Sequence, residues 1–106
     1  MSNAISEAPR NFAVQFVADS ADRLNARRNM RLGLWAGSKL GLPEESCAVY
    51  ALEVMAAGMI DSGHDDVVDK IKRDLTKQGI PMTRRQILAQ LSESHQLVAT
   101  QRVISN

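Results

Sequence analysis

The chain has 106 residues, of which 44% are hydrophobic, 24% charged and only 4% aromatic; that is enough for one aliphatic core and too little for two. A formal net charge of +1 argues against a general nucleic-acid coat. No apolar run reaches the roughly 20 residues that span a bilayer, the first residues lack an export pattern, and the single cysteine, Cys47, excludes an internal disulfide or a thiolate metal cluster. These features predict a cytoplasmic domain without membrane insertion. The charge is zoned: residues 10–43 and 76–106 are basic, whereas residues 44–75 are acidic, a pattern that serves either internal packing or an acidic partner.

Residues 1–20, with Pro9 and Asn11, are the least committed to a helix and are expected to form a mobile N-terminal arm ahead of a body spanning 21–106. The first body helix is predicted over about 21–40, with an earlier start near Phe12 also open. Its apolar stripe runs through Ala26, Met30, Leu34 and Gly37 and is widened by Leu32, Trp35 and Ala36. Gly33 and Gly37 sit one turn apart where each costs a helix about 0.5–1 kcal/mol relative to alanine, so they predict close approach of a neighbouring helix, with Trp35 covering the core edge. Gly41 and Pro43 then read as stop and restart.

The second helix is predicted over about 43–59, with Glu44 and Glu45 at the positive end of its dipole and a buried face of Ala48, Leu52, Met55 or Ala56, and Met59. The third, over about 64–78, places Val67 or Val68, Ile71 and Leu75 on one side and ends at Gly79 and Pro81. Thr83 and Gln86 have capping-box spacing for a fourth helix reaching about Val103, with Ile87, Leu88, Leu91, His95 and Val98 facing inward. The fold predicted is all-α: a small four-helix bundle with a mobile N-terminal arm.

The residues that could carry chemistry favour binding over catalysis. Asp61, His64, Asp65, Asp66 and Asp69 match no metal-ligand spacing, and acids at a helix start answer to the unpaired N–H groups there. His95 has no visible nucleophile to serve, and no nucleotide-binding glycine loop or serine elbow is present; the expectation is a protein that is not an enzyme, with no catalytic residue, metal or cofactor. Arg84 and Arg85, opening a helix after a glycine turn, form a loose image of a DNA-reading head, and an enzyme using His64 or His95 is the third class. Phe12 and Phe16 share a face if their segment is helical, either capping the core or entering a partner's groove. Arg27, Arg28 and Arg31 are expected to project together as a docking surface for an acidic partner, against the plainer reading of a solvated basic face.

The block "ARRNMRLGLWAGSKLGL" (26–42) resembles the signature segment of the alphaproteobacterial zeta subunits, small inhibitors of the F-type ATP synthase. The likeness continues through Tyr50, Glu53 and Val54, "GHDDV" (63–67), Lys70, Ile71, Asp74, Leu75 and Gly79. The resemblance implies a four-helix bundle that docks outside the catalytic head while the N-terminal arm folds as a helix between catalytic and non-catalytic subunits and stops ATP hydrolysis. It would place the protein in the cytoplasm, peripheral to the inner membrane, with head subunits and no nucleic acid as its partners. Carried onto this chain, the inserted residues are Phe12, Val14, Phe16 and Val17, and Arg27, Arg28 and Arg31 dock. Pro9 bounds the inserted helix and Val14 and Val17 weaken it, so a member that docks or regulates without inhibiting is the alternative within the family.

Overall fold

The computed structural model describes residues 22–60 and 64–105, and in them four helices and no strand. Helix α1 comprises residues 22–39, α2 is Glu44–Ile60, α3 is Asp65–Lys77 and α4 is Arg84–Ser105. The all-α bundle matches the sequence expectation. The arm at 1–20 and Asp61 lie outside the described residues.

Glycine sets two of the helix ends. Gly41 and Gly79 take φ of 77° and 75°, the left-handed region a side chain resists. Each creates the same pair of backbone bonds: Leu42 N–H to the Gly37 carbonyl and Gly41 N–H to that of Ser38, then Ile80 N–H to Leu75 and Gly79 N–H to Thr76. This is the Schellman closure, and it satisfies carbonyls that a helix C-terminus otherwise leaves open. At the start of α4 the capping box forms: Thr83 N–H donates to Gln86 Oε1 at 2.9 Å, and Gln86 N–H donates to Thr83 Oγ1 at 3.1 Å.

The core draws on all four helices: Leu32 and Ala36 from α1, Tyr50 and Val54 from α2, Val67, Val68, Ile71 and Leu75 from α3, Ile87 and Leu91 from α4. At about 1.5–3 kcal/mol per fully buried aliphatic side chain, this cluster is the main stabilising feature. The α3 stripe is as its spacing predicts. On α4 the inward set is Ile87, Leu91, Ser94 and Val98, with Leu88 and His95 only half-buried.

The α1–α2 seam is built on absent side chains. A Cβ on Gly33 would lie 2.7 Å from the Ala51 Cα, one on Gly37 2.5 Å from the Cys47 Sγ, and one on Gly58 against the Asn29 amide. These contacts run antiparallel, and they explain why a helix tolerates glycines at 33 and 37. Half-buried Cys47 points its thiol at the Leu34 carbonyl, 3.3 Å away.

Two predicted stripes are corrected by this seam. Leu34, expected inside, is 44% exposed, because Gly33 and Gly37 rather than Met30 and Leu34 define the side of α1 that meets α2. On α2 the expected face is outward: Ala48 and Ala56 are exposed, Leu52 is 49% and Met59 74% exposed, and Tyr50, Ala51 and Val54 are buried instead. Helix α2 is apolar nearly all round, so its own pattern could not choose a face; the glycines of α1 choose it by admitting Ala51.

Candidate functional site

The three arginines of α1 expected to dock, Arg27, Arg28 and Arg31, do not project together. Arg27 and Arg31, one turn apart, are exposed, and neither is paired with an acid among the described residues. Arg28 is buried over the seam, its Nε and Nη2 donating to Asn29 Oδ1 at 2.9 and 2.8 Å. Burial pulls the Arg28 guanidinium below its ordinary pKa, since a charge loses hydration there. Asn29 is 3% exposed and lies against the space that Gly58 leaves open. Together they wall a cleft of about 300 Å³ bounded also by Asp22, Asn25 and Met59. The sequence signal for this arrangement was Gly58, a third small residue on the seam. Phe12, Val14, Phe16 and Val17 lie outside the described residues.

A second polar cluster joins α2 to α3. The Tyr50 hydroxyl donates to Asp74 Oδ2 at 2.8 Å, Lys70 Nζ donates to the same oxygen at 3.0 Å, and Glu53 Oε1 lies 3.7 Å from Lys70. The Lys70 ammonium also stands 5.1 Å from the Tyr50 ring centroid, within cation–π range. Burial, then the hydrogen bond and negative charge of Asp74, push the Tyr50 hydroxyl well above the usual tyrosine range. For Asp74 burial acts upward, but the bonds from Tyr50 and Lys70 and the charges of Lys70 and Arg73 outweigh it and hold the carboxyl below its ordinary value. The cluster opens on a cleft of about 370 Å³ reaching Leu40, Leu42 and Lys77. Its i,i+4 pair Lys70–Asp74 was visible in the sequence; its partnership with Tyr50 needed the packing of α2 on α3.

Arg84, the first residue of the sequence's candidate DNA-reading head, is committed elsewhere. Its Nη1 donates to Asp69 Oδ1 at 2.7 Å and its Nη2 to Asp65 Oδ1 at 2.5 Å, a fork that ties the start of α4 to α3 and leaves only Arg85 for a phosphate. Asp65 and Asp66 occupy the first turn of α3, and among the described residues no three His, Cys, Asp or Glu side chains converge as a metal site would. His64 is exposed at the α3 start and His95 half-buried on α4. No helix among the described residues is long and apolar enough to cross a membrane.

Compared with known families, the chain matches the model described as ATPase inhibitor subunit zeta over residues 3–101. No curated protein and no solved structure matches it.

Proposed function

The chain belongs to the ATPase inhibitor subunit zeta family, and from that premise we propose that it binds the catalytic head of the F-type ATP synthase and stops ATP hydrolysis by inserting its N-terminal segment at a subunit interface. The match over 3–101 carries the reading, since it takes in both the leading segment and the bundle. Residues 1–20 enter the interface as a helix with Phe12, Val14, Phe16 and Val17 as its apolar contacts, while the bundle stays outside and docks through Arg27 and Arg31. Arg28 contributes by holding Asn29 and the seam in place beside them. No chemistry by the inhibitor is involved. An inserted helix blocks the alternation of subunit conformations that hydrolysis requires, and the ordering of that helix reduces the net affinity. The protein is then peripheral to the membrane through the synthase.

The test adds the full chain, and the chain lacking residues 1–20, to catalytic heads purified from the same source, reading hydrolysis and binding. The expected result is inhibition by the full chain, and binding with little inhibition by the shortened one. Equal inhibition by both overturns insertion. Binding without inhibition by both makes the chain a docking factor.

A further inference from the structure

The α1–α2 pair has two apolar sides, and among the described residues only one is covered. Leu32, Ala36, Tyr50 and Val54 face the core with α3 and α4. At about 100° per residue, Val49, Leu52, Ala56 and Met59 fall within about 80° of arc on the opposite side of α2. Because the helices run antiparallel through the Gly33–Ala51 and Gly37–Cys47 contacts, Leu34 emerges on that same side of α1. Of the five large apolar residues left exposed among the described ones, Leu34, Val49, Leu52 and Met59 all lie here, at 44 to 74% exposure. Half-buried Met30 and Met55 lie between them. Scattered exposed apolar residues need no explanation, but a clustered patch marks an interaction surface.

Charge says what covers it. Arg27 and Arg31 stand on the same side of α1 as Leu34, at the Met55–Met59 end of the patch. They are like charges one turn apart with no acid among the described residues to relieve them, an arrangement that costs a helix a few tenths of a kcal/mol and that an incoming carboxylate reverses. The two acids that open α2, Glu44 and Glu45, lie at the other end of the patch, so basic character is concentrated where the methionines are. Methionine is the side chain that adapts best to a foreign apolar surface.

We infer that this outer face of α1 and α2 is the docking face of the bundle, and that its occupant is an amphipathic helix of the synthase head which lays apolar residues on Leu34, Leu52 and Met59 and places carboxylates on Arg27 and Arg31. The inference rests on the proposed function and deepens it: the body docks by an apolar seam with an electrostatic end, not by arginines alone. The leading segment, spent on insertion, is not available to cover this face at the same time.

The test measures Kd of full-length variants for purified heads, with the melting temperature of each. Leu52→Glu and the pair Arg27→Glu/Arg31→Glu are expected to raise Kd by about tenfold or more, as loss of one buried leucine or of a charge-assisted contact does. Leu97→Glu, comparably exposed but on α4, is expected to leave Kd unchanged, and none of the three shifts melting. If the wild-type chain neither binds nor inhibits heads, the functional reading itself fails. If it binds and both α1–α2 variants bind equally well, that reading stands and the docking face is wrong. Two other results also overturn it in favour of a different occupant: dimerisation of the wild type, abolished by Leu52→Glu with head affinity intact, would assign the face to a second copy, and faster hydrogen exchange at 49–59 on deleting residues 1–20 from the free chain would assign it to the leading segment.

Discussion

If the α1–α2 seam depends on missing side chains, adding a methyl at Gly33 and at Gly37 should be felt differently. At Gly33 the new Cβ meets backbone, 2.7 Å from the Ala51 Cα and 3.2 Å from its carbonyl oxygen, with the Val54 Cβ at 3.0 Å. None of these is a flexible tip, so the helices must separate. Overpacking of a tight core costs about 1–3 kcal/mol, against which the better helix propensity of alanine returns about 0.5–1 kcal/mol. Gly33→Ala should therefore destabilise by about 1 kcal/mol, a fall of roughly 4–8 °C in Tm for a domain of this size. At Gly37 the Cβ meets chiefly the Cys47 sulfur at 2.5 Å, with the Cys47 Cα at an ordinary 3.4 Å. Removing the sulfur should remove most of the conflict. In a double-mutant cycle read by thermal or urea denaturation, Gly37→Ala in a Cys47→Ala background should cost about 1 kcal/mol less than in the wild type, whereas the cost of Gly33→Ala should not change. A Gly33→Ala variant that melts higher than the wild type, as an exposed helical glycine would on gaining its methyl, would show that the helices do not approach at that point.

Two further outcomes follow from the polar contacts. The folded chain holds the Tyr50 proton where the unfolded chain, with an ordinary tyrosine pKa of about 10, releases it, so stability should decline above pH 10 by about 1.4 kcal/mol per pH unit. Tyr50→Phe should flatten that part of the alkaline profile in pH-dependent denaturation, and an unchanged slope would remove the tyrosine from the account. Thr83→Ala breaks the reciprocal capping box at α4 and should cost about 0.5–2 kcal/mol, measured by urea denaturation with an unchanged m-value.

What the sequence could and could not supply follows one physical rule: it fixes a pattern wherever the pattern is local. The turn glycines at 41 and 79 and the Thr83–Gln86 box each depend on residues within one helical turn, and each forms as expected. Helix α3 was legible because its polar side is strongly charged, leaving Val67, Val68, Ile71 and Leu75 as the one buried stripe. Gly33 and Gly37 announced the close approach of a second helix, but which distant side chains pair was not legible. Arg84 reads as a free cation from its neighbours Thr83 and Arg85, and only the approach of α4 to α3 assigns it to Asp65 and Asp69.

Helix α2 makes the rule most visible, because the misread face is the informative one. In "EESCAVYALEVMAAGMI" small residues at 47, 51 and 58 alternate with large apolar ones, and hydrophobicity alone favours burying Leu52 and Met59. Packing favours the opposite: an interface whose partner offers glycines at 33 and 37 is filled best by Cys47 and Ala51, which let the backbones approach, and this rotates the larger side chains outward. A bundle that needed only its own stability would have little use for leucine and methionine there, since polar residues at those positions would keep the same seam and improve solubility. That the outward side of α2 carries Val49, Leu52 and Met59, beside two arginines with no acid to meet them among the described residues, is therefore better explained by a surface held for a partner than by the needs of the fold.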